Sequence, residues 1–160
     1  MSPITILCLL ASVSLSFAAS EVLPDEFYGT FDLDHSDNFD AYLTAKGFNF
    51  FIRQMAASAT VRKIFARTSS RRKFDYSNLT SRKNVYYRSV VLRETFQGQG
   101  LDGSMHEVTF AMKNGHLLEH HTPLQGGEEE TFAYLFQGDY LVMRLSFHGV
   151  KASRYFRRTA

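Results

Sequence analysis

The chain has 160 residues, enough for one ordinary domain and too few for two. Hydrophobic residues make up 44% and charged residues 21%, which excludes a disordered chain, a collagen-like chain and a membrane bundle. With 18 Lys and Arg against 16 Asp and Glu, the net charge of +2 falls far short of the basic footprint of nucleic-acid binders, so no nucleic-acid partner is expected.

From Ile4 to Ala19 the residues are almost wholly apolar or small, and Glu21 and Asp25 follow at once, which reads as a secretory signal peptide over residues 1–20. Small residues at paired positions favour cleavage after Ala18 or after Ser20. A run of about 16 residues is short for a membrane span, which needs about 20. The only cysteine, Cys8, lies in this leader, so the mature domain, residues 21–160, has no disulfide to staple it and relies on its core. At about 140 residues such a domain still buries roughly two-thirds of its unfolded surface.

In the mature chain Phe27, Gly29, Phe31 and Leu33 alternate with polar residues, and Val22 to Asp34 reads as a half-buried first strand. Asp37 is placed to cap a short helix with Phe39, Tyr42 and Leu43 at i, i+3 and i+4, and Gly47 stops it. A second short helix is predicted from about Asn49 to Ala57, with Phe51, Ile52 and Met55 on one side.

Beyond Ser58 the sequence breaks into runs of strand length: 60–68, 73–79, 85–92, 94–99, 105–113, 116–122, 130–137, 140–147 and 150–158. Asn114-Gly115 is the clearest two-residue hairpin signal, and Gly138-Asp139 and His148-Gly149 mark further reversals. The predicted fold is all-β, a ten-strand antiparallel up-and-down barrel with a helix-turn-helix lid between the first and second strands. About eight strands already enclose one small ligand, so ten imply a cavity.

On the last strand Val150, Ala152, Arg154 and Phe156 share one face, the apolar one, so Arg154 is predicted to point inward. Its guanidinium suits a carboxylate bidentately. The alternatives are a register slip that turns Arg154 outward and a buried glutamate that pairs with it. The lid residues Phe39, Tyr42, Leu43, Ile52 and Met55 are candidate cavity or portal lining, as are Phe132, Phe136, Met143, Leu145, Phe147 and Phe156 on the late strands; plain core packing is the alternative for each.

The stretch Gly29-Thr30-Phe31-Asp32-Leu33, then four residues, then Asn38-Phe39-Asp40, Tyr42-Leu43 and Lys46 resembles the N-terminal signature of the intracellular lipid-binding proteins, or fatty-acid-binding proteins, and especially their exported nematode branch. The resemblance continues through Lys83-Asn84, Glu94-Thr95-Phe96, GDYLVMRLSFHGV and SRYFRR, and covers about Phe27 to Arg158. It implies a clam-like barrel of the calycin type, a helical portal and one buried fatty acid or related lipid. In that family an Arg-x-Tyr pair holds the ligand headgroup; here the matching positions are Arg154 and Phe156, so the arginine is kept and the hydroxyl lost. The family's second headgroup arginine falls at Tyr134, between Phe132 and Phe136 on one face.

His116, His120 and His121 do not suit one metal ion. On a strand His120 and His121 face opposite sides, and His116 lies about 13 Å from His120; surface histidines are expected, with no metal and no cofactor. No G-x-S-x-G or H-E-x-x-H motif is present, so no enzyme is expected. Arg62, Lys63, Arg71, Arg72, Lys73, Arg82 and Lys83 make the strands after the helices basic, against Glu128, Glu129 and Glu130. These runs are either solvated loops or a basic portal rim that meets anionic membrane surfaces. Asn78-Leu79-Thr80 is a glycosylation sequon in an exported chain. The expectation is a secreted, monomeric carrier of a long-chain fatty acid. The alternatives are a lipocalin-type carrier of another hydrophobic ligand, such as a retinoid, and a β interaction domain with a filled interior.

Overall fold

A computed structural model describes residues 21–160. The predicted signal peptide, with Cys8 and both cleavage positions, lies outside these residues. One 3-10 turn, Asp25–Phe27, leads into β1 (Gly29–Asp37), followed by α1 (Phe39–Ala45) and α2 (Phe50–Ala57). Nine further strands complete the chain: β2 (Val61–Arg67), β3 (Phe74–Thr80), β4 (Asn84–Val90), β5 (Thr95–Gln99), β6 (Met105–Lys113), β7 (His116–Pro123), β8 (Glu130–Gln137), β9 (Tyr140–Phe147) and β10 (Val150–Arg158). All neighbours are antiparallel, in the order β4-β3-β2-β1-β10-β9-β8-β7-β6-β5. β4 and β5 end that order and face each other across a cleft lined by residues from Tyr86 to Val91 and from Glu94 to Gly98. A side chain at position 98 would begin 2.6 Å from the Tyr87 ring, so glycine there lets these two edges approach. The barrel is therefore nearly closed, with the two helices across one end.

The first strand begins later than its alternation predicts. Pro24 cannot donate to a ladder, the chain turns once, and pairing starts only at Gly29 opposite Phe65. The turn seats Leu23 and Phe27 in the end of the barrel opposite the helices, 2% and 0% exposed. The first helix also starts differently: Asp37 remains in β1 opposite Ser153, and Asn38, at φ 56°, is the N-cap. Its side chain donates to the Lys151 carbonyl (2.7 Å) rather than capping the helix. α2 begins where expected, and Asn49 caps it, accepting from the Ile52 amide at 3.0 Å. Asn114 and Gly115 both have positive φ, 52° and 78°, as a type I′ hairpin requires.

Period-two alternation puts Phe31, Phe65, Phe74, Phe110, Leu117, Leu141 and Phe156 on the inner face, all at most 1% exposed. Because β1 runs into the helices, the helical end also carries the β3-β4, β5-β6, β7-β8 and β9-β10 turns, while the chain termini and the β2-β3 turn lie at the floor. This divides the basic run. Arg71, Arg72 and Lys73 are at the floor and Arg82 and Lys83 at the helical end, so the run does not form one portal rim.

Candidate functional site

Three charged side chains face the apolar interior. The first is Lys63. Val61, Lys63 and Phe65 share the inner face of β2, and Lys63 is 1% exposed. Its ammonium donates to the Tyr76 hydroxyl (2.8 Å) and lies 5.4, 5.3 and 5.6 Å from the ring centroids of Tyr76, Tyr134 and Phe156. Burial pulls its pKa down to about 8, which the Glu119 charge opposes and the Arg154 charge reinforces.

Glu119, on the inner face of β7, is the anion of the group. It accepts from the Tyr134 hydroxyl (2.5 Å) and from that of Tyr76 (3.3 Å), and it bonds His121 Nε2 at 2.9 Å. Burial alone would raise its pKa. The His121 hydrogen bond and charge, the Lys63 charge and the Tyr134 hydrogen bond outweigh burial and hold it below the ordinary carboxylate range. Burial, followed by the Glu119 charge, pushes the hydroxyls of Tyr76 and Tyr134 well above their usual range.

Arg154 is the second cation. A bulge in β1 between Leu33 and His35 turns Ser36 toward β10, where it pairs with Arg154. Arg154 Nε donates to Ser36 Oγ (3.2 Å), and the guanidinium lies 4.1 Å over the ring of Phe39 in the lid. Burial draws its pKa down to about 10, partly opposed by Tyr134. Among the described residues no carboxylate lies within ion-pair distance of Arg154. Arg154 and Tyr134 are joined through Met143, the cross-strand partner of both, which puts them two strands apart at one level of the wall.

The other predicted lining residues divide into two groups. Tyr134, Met143, Leu145 and Phe156 are buried, Phe132, Phe136 and Phe147 are partly buried against the same core, and Tyr42 and Leu43 close over it from α1 with Phe39 beside them. Ile52 and Met55 are 41% and 42% exposed, and α2 has no buried residue, so these two stand at the rim and not in the inner wall. α1 is fastened by Glu130, which accepts from the Tyr42 hydroxyl at 2.5 Å and from the Lys46 ammonium.

Lys63, Tyr76, Glu119 and His121 escaped the sequence reading. Lys63 was grouped with a basic run and His121 with surface histidines, but His121 is buried at 8% exposure. The available signal was alternation: Lys63 sits between Val61 and Phe65, and Glu119 is two residues from Leu117. Asn78 is also inward, between cross-strand partners Lys63 and Val85, and its carboxamide oxygen is buried without a hydrogen-bond partner.

No protein-family model matches the chain. It is 55% identical over 148 residues to fatty acid-binding protein homolog 1 of Caenorhabditis elegans, covering 91% of this chain and 93% of that one. The Ascaris suum fatty acid-binding protein homolog is 38% identical over 143 residues, covering 87% and 88%. Among solved structures As-p18, an extracellular fatty acid binding protein, superposes with a TM-score of 0.84 at 38% identity, covering 87% of this chain and all of that one. With identity of this extent and the ten-strand barrel under its two helices, the chain belongs to the fatty-acid-binding protein family.

Proposed function

We propose that this protein is a secreted, monomeric carrier that encloses a long-chain fatty acid in the barrel and moves it through extracellular fluid. The observation that carries the reading is Arg154, an inward guanidinium over the Phe39 ring with a hydroxyl partner and, among the described residues, no carboxylate. Full burial of about sixteen methylenes contributes about 13 kcal/mol gross, much of it offset by association and ordering costs. The carboxylate is the obstacle, because a charge taken out of water without a partner costs several kcal/mol. Arg154 supplies that partner, and Tyr134 lies at the same level of the wall. The similarity to As-p18, an extracellular fatty acid binding protein, and the apolar leader at residues 4–19 support export.

Expression of the full chain tests this directly. The expected result is protein in the medium beginning at Ala19 or Glu21 and, on extraction, a bound fatty acid seen by mass spectrometry. A secreted protein that carries no lipid and binds no fluorescent fatty acid would restore the filled interaction domain. In Arg154→Leu, carboxylate ligands are expected to lose about tenfold or more in affinity, and the corresponding alcohols far less. Equal losses for both would remove Arg154 from the headgroup role.

A transient contact with anionic membrane is part of the same reading. Phe50 and Phe51 on α2 are 58% and 76% exposed, and Arg82 and Lys83 lie at the same end of the barrel. Apolar rings beside cations suit an anionic lipid surface.

A further inference from the structure

We infer that the interior is built for a lipid with one negative charge, with Lys63 as a second receiving cation and Glu119 as a fixed counter-anion, and that binding is coupled to proton uptake by Lys63. The inference rests on the carrier reading and adds a charge rule to it.

Facing the apolar interior are Lys63 from β2 and Arg154 from β10, both cationic, and Glu119 from β7, anionic, while Glu130, on the same face of β8 as Tyr134, is balanced by Lys46 at the helical end. His121 bonds Glu119 and adds no negative charge in either of its protonation states. The tyrosines that face the group, Tyr76, Tyr87 and Tyr134, all have pKa values raised by burial and so stay neutral at ordinary pH. With Lys63 protonated, the interior thus holds an excess of at least one positive charge before any guest arrives. A buried excess charge is costly unless a counter-charge joins it. A singly charged carboxylate supplies that counter-charge; a neutral alcohol or ester does not, and a doubly charged lipid overshoots.

Glu119 alone does not complete the pairing of Lys63. The two communicate through the Tyr76 hydroxyl, which accepts from Lys63 at 2.8 Å and donates to Glu119 at 3.3 Å. Beyond that one hydrogen bond the ammonium faces three aromatic rings. Two of its three donors have no hydrogen-bond acceptor among the described residues. The carbonyl-type oxygen of Asn78, opposite Lys63 on β3, is buried and unpartnered as well, so this wall has polar capacity that its own side chains leave unused.

Proton coupling follows from the same geometry. Burial lowers the Lys63 pKa to about 8, so part of the empty protein holds a neutral amine just above that pH. An anion brought beside the amine favours its charged form and raises the pKa again, and the proton is drawn from solvent. Arg154, lowered only to about 10, keeps its charge in this range.

Calorimetry with oleate at pH 8.5, in two buffers of different ionisation heat, reads the proton directly. The expected result is uptake of about half a proton or more per oleate at that pH, falling toward zero at pH 6.5. Lys63→Met is expected to abolish the uptake and to weaken oleate about tenfold at pH 7 while leaving oleyl alcohol nearly unchanged. Lys63→Arg is expected to retain preference for oleate without proton uptake. Wild-type binding with no uptake overturns the inference, as does uptake that persists in Lys63→Met. If Lys63→Met fails to fold, the wild-type calorimetry still decides. If wild-type protein binds neither oleate nor oleyl alcohol, the carrier reading itself has failed.

Discussion

At the floor of the barrel Leu23, Phe27, Phe31 and Phe65 are at most 2% exposed, whereas at the helical end α2 has no buried residue and leaves Phe51 76% exposed. Both ends are capped by short segments outside the regular strands, but they are held in different ways. Phe27 is wedged among rings, with centroids 6.4 Å from Phe65 and 5.2 Å from Phe136, and the Glu21 carboxylate reaches Arg93 beside it. α1 is fastened to β8 through Glu130, while α2 is tied to α1 mainly by the Arg53 to Asp40 ion pair at 2.8 Å. On the carrier reading a guest needs one way in, and the difference between the ends favours the helical one. The floor is sealed by dense aromatic packing, and α2 is the element that can lift at least cost.

The largest expected effect tests the sealed end. Phe27→Ala removes a fully buried ring from the floor, and a loss of about 4 kcal/mol in urea unfolding is expected, with little change in the rate of lipid entry to whatever folded protein remains. A loss below about 1 kcal/mol would mean that the N-terminal segment is an appendage and not the floor, and the comparison of the two ends would fail on that side.

How much of this was legible in the sequence depended on the range of the interaction. Hairpins depend on neighbours: Asn114-Gly115 and His148-Gly149 have the positive φ values that their turn chemistry requires, and the strands around them are those that alternation predicts. The inward face of β10, with Arg154, follows from the same local rule. The start of β1 was misplaced because alternation cannot distinguish a strand from an extended lead-in that Pro24 keeps out of the ladder. Which interior groups pair with one another was not legible, since Tyr76 and Glu119 are 43 residues apart and meet only when the barrel closes. Lys63 beside Arg62 reads as a charged pair until the period of two is applied strictly. Arg62 then faces out to Asp32 (2.5 Å) and Lys63 faces in to Tyr76 (2.8 Å).

The smallest effect on stability belongs to the loose end, and there the rate is the readout. Phe51→Ser removes an exposed ring from α2, so the unfolding free energy is expected to shift by less than about 0.5 kcal/mol. Transfer of a fluorescent fatty acid to anionic vesicles is nonetheless expected to slow several-fold, because Phe50 and Phe51 are the most exposed large apolar rings among the described residues. Raising salt should slow the wild-type protein as well by screening Arg82 and Lys83 from the lipid charge. The two perturbations separate the two parts of the contact. A rate that responds to salt but not to Phe51→Ser would leave charge alone as the link to the membrane. A rate indifferent to both would place lipid exchange in solution, with α2 serving only as the door.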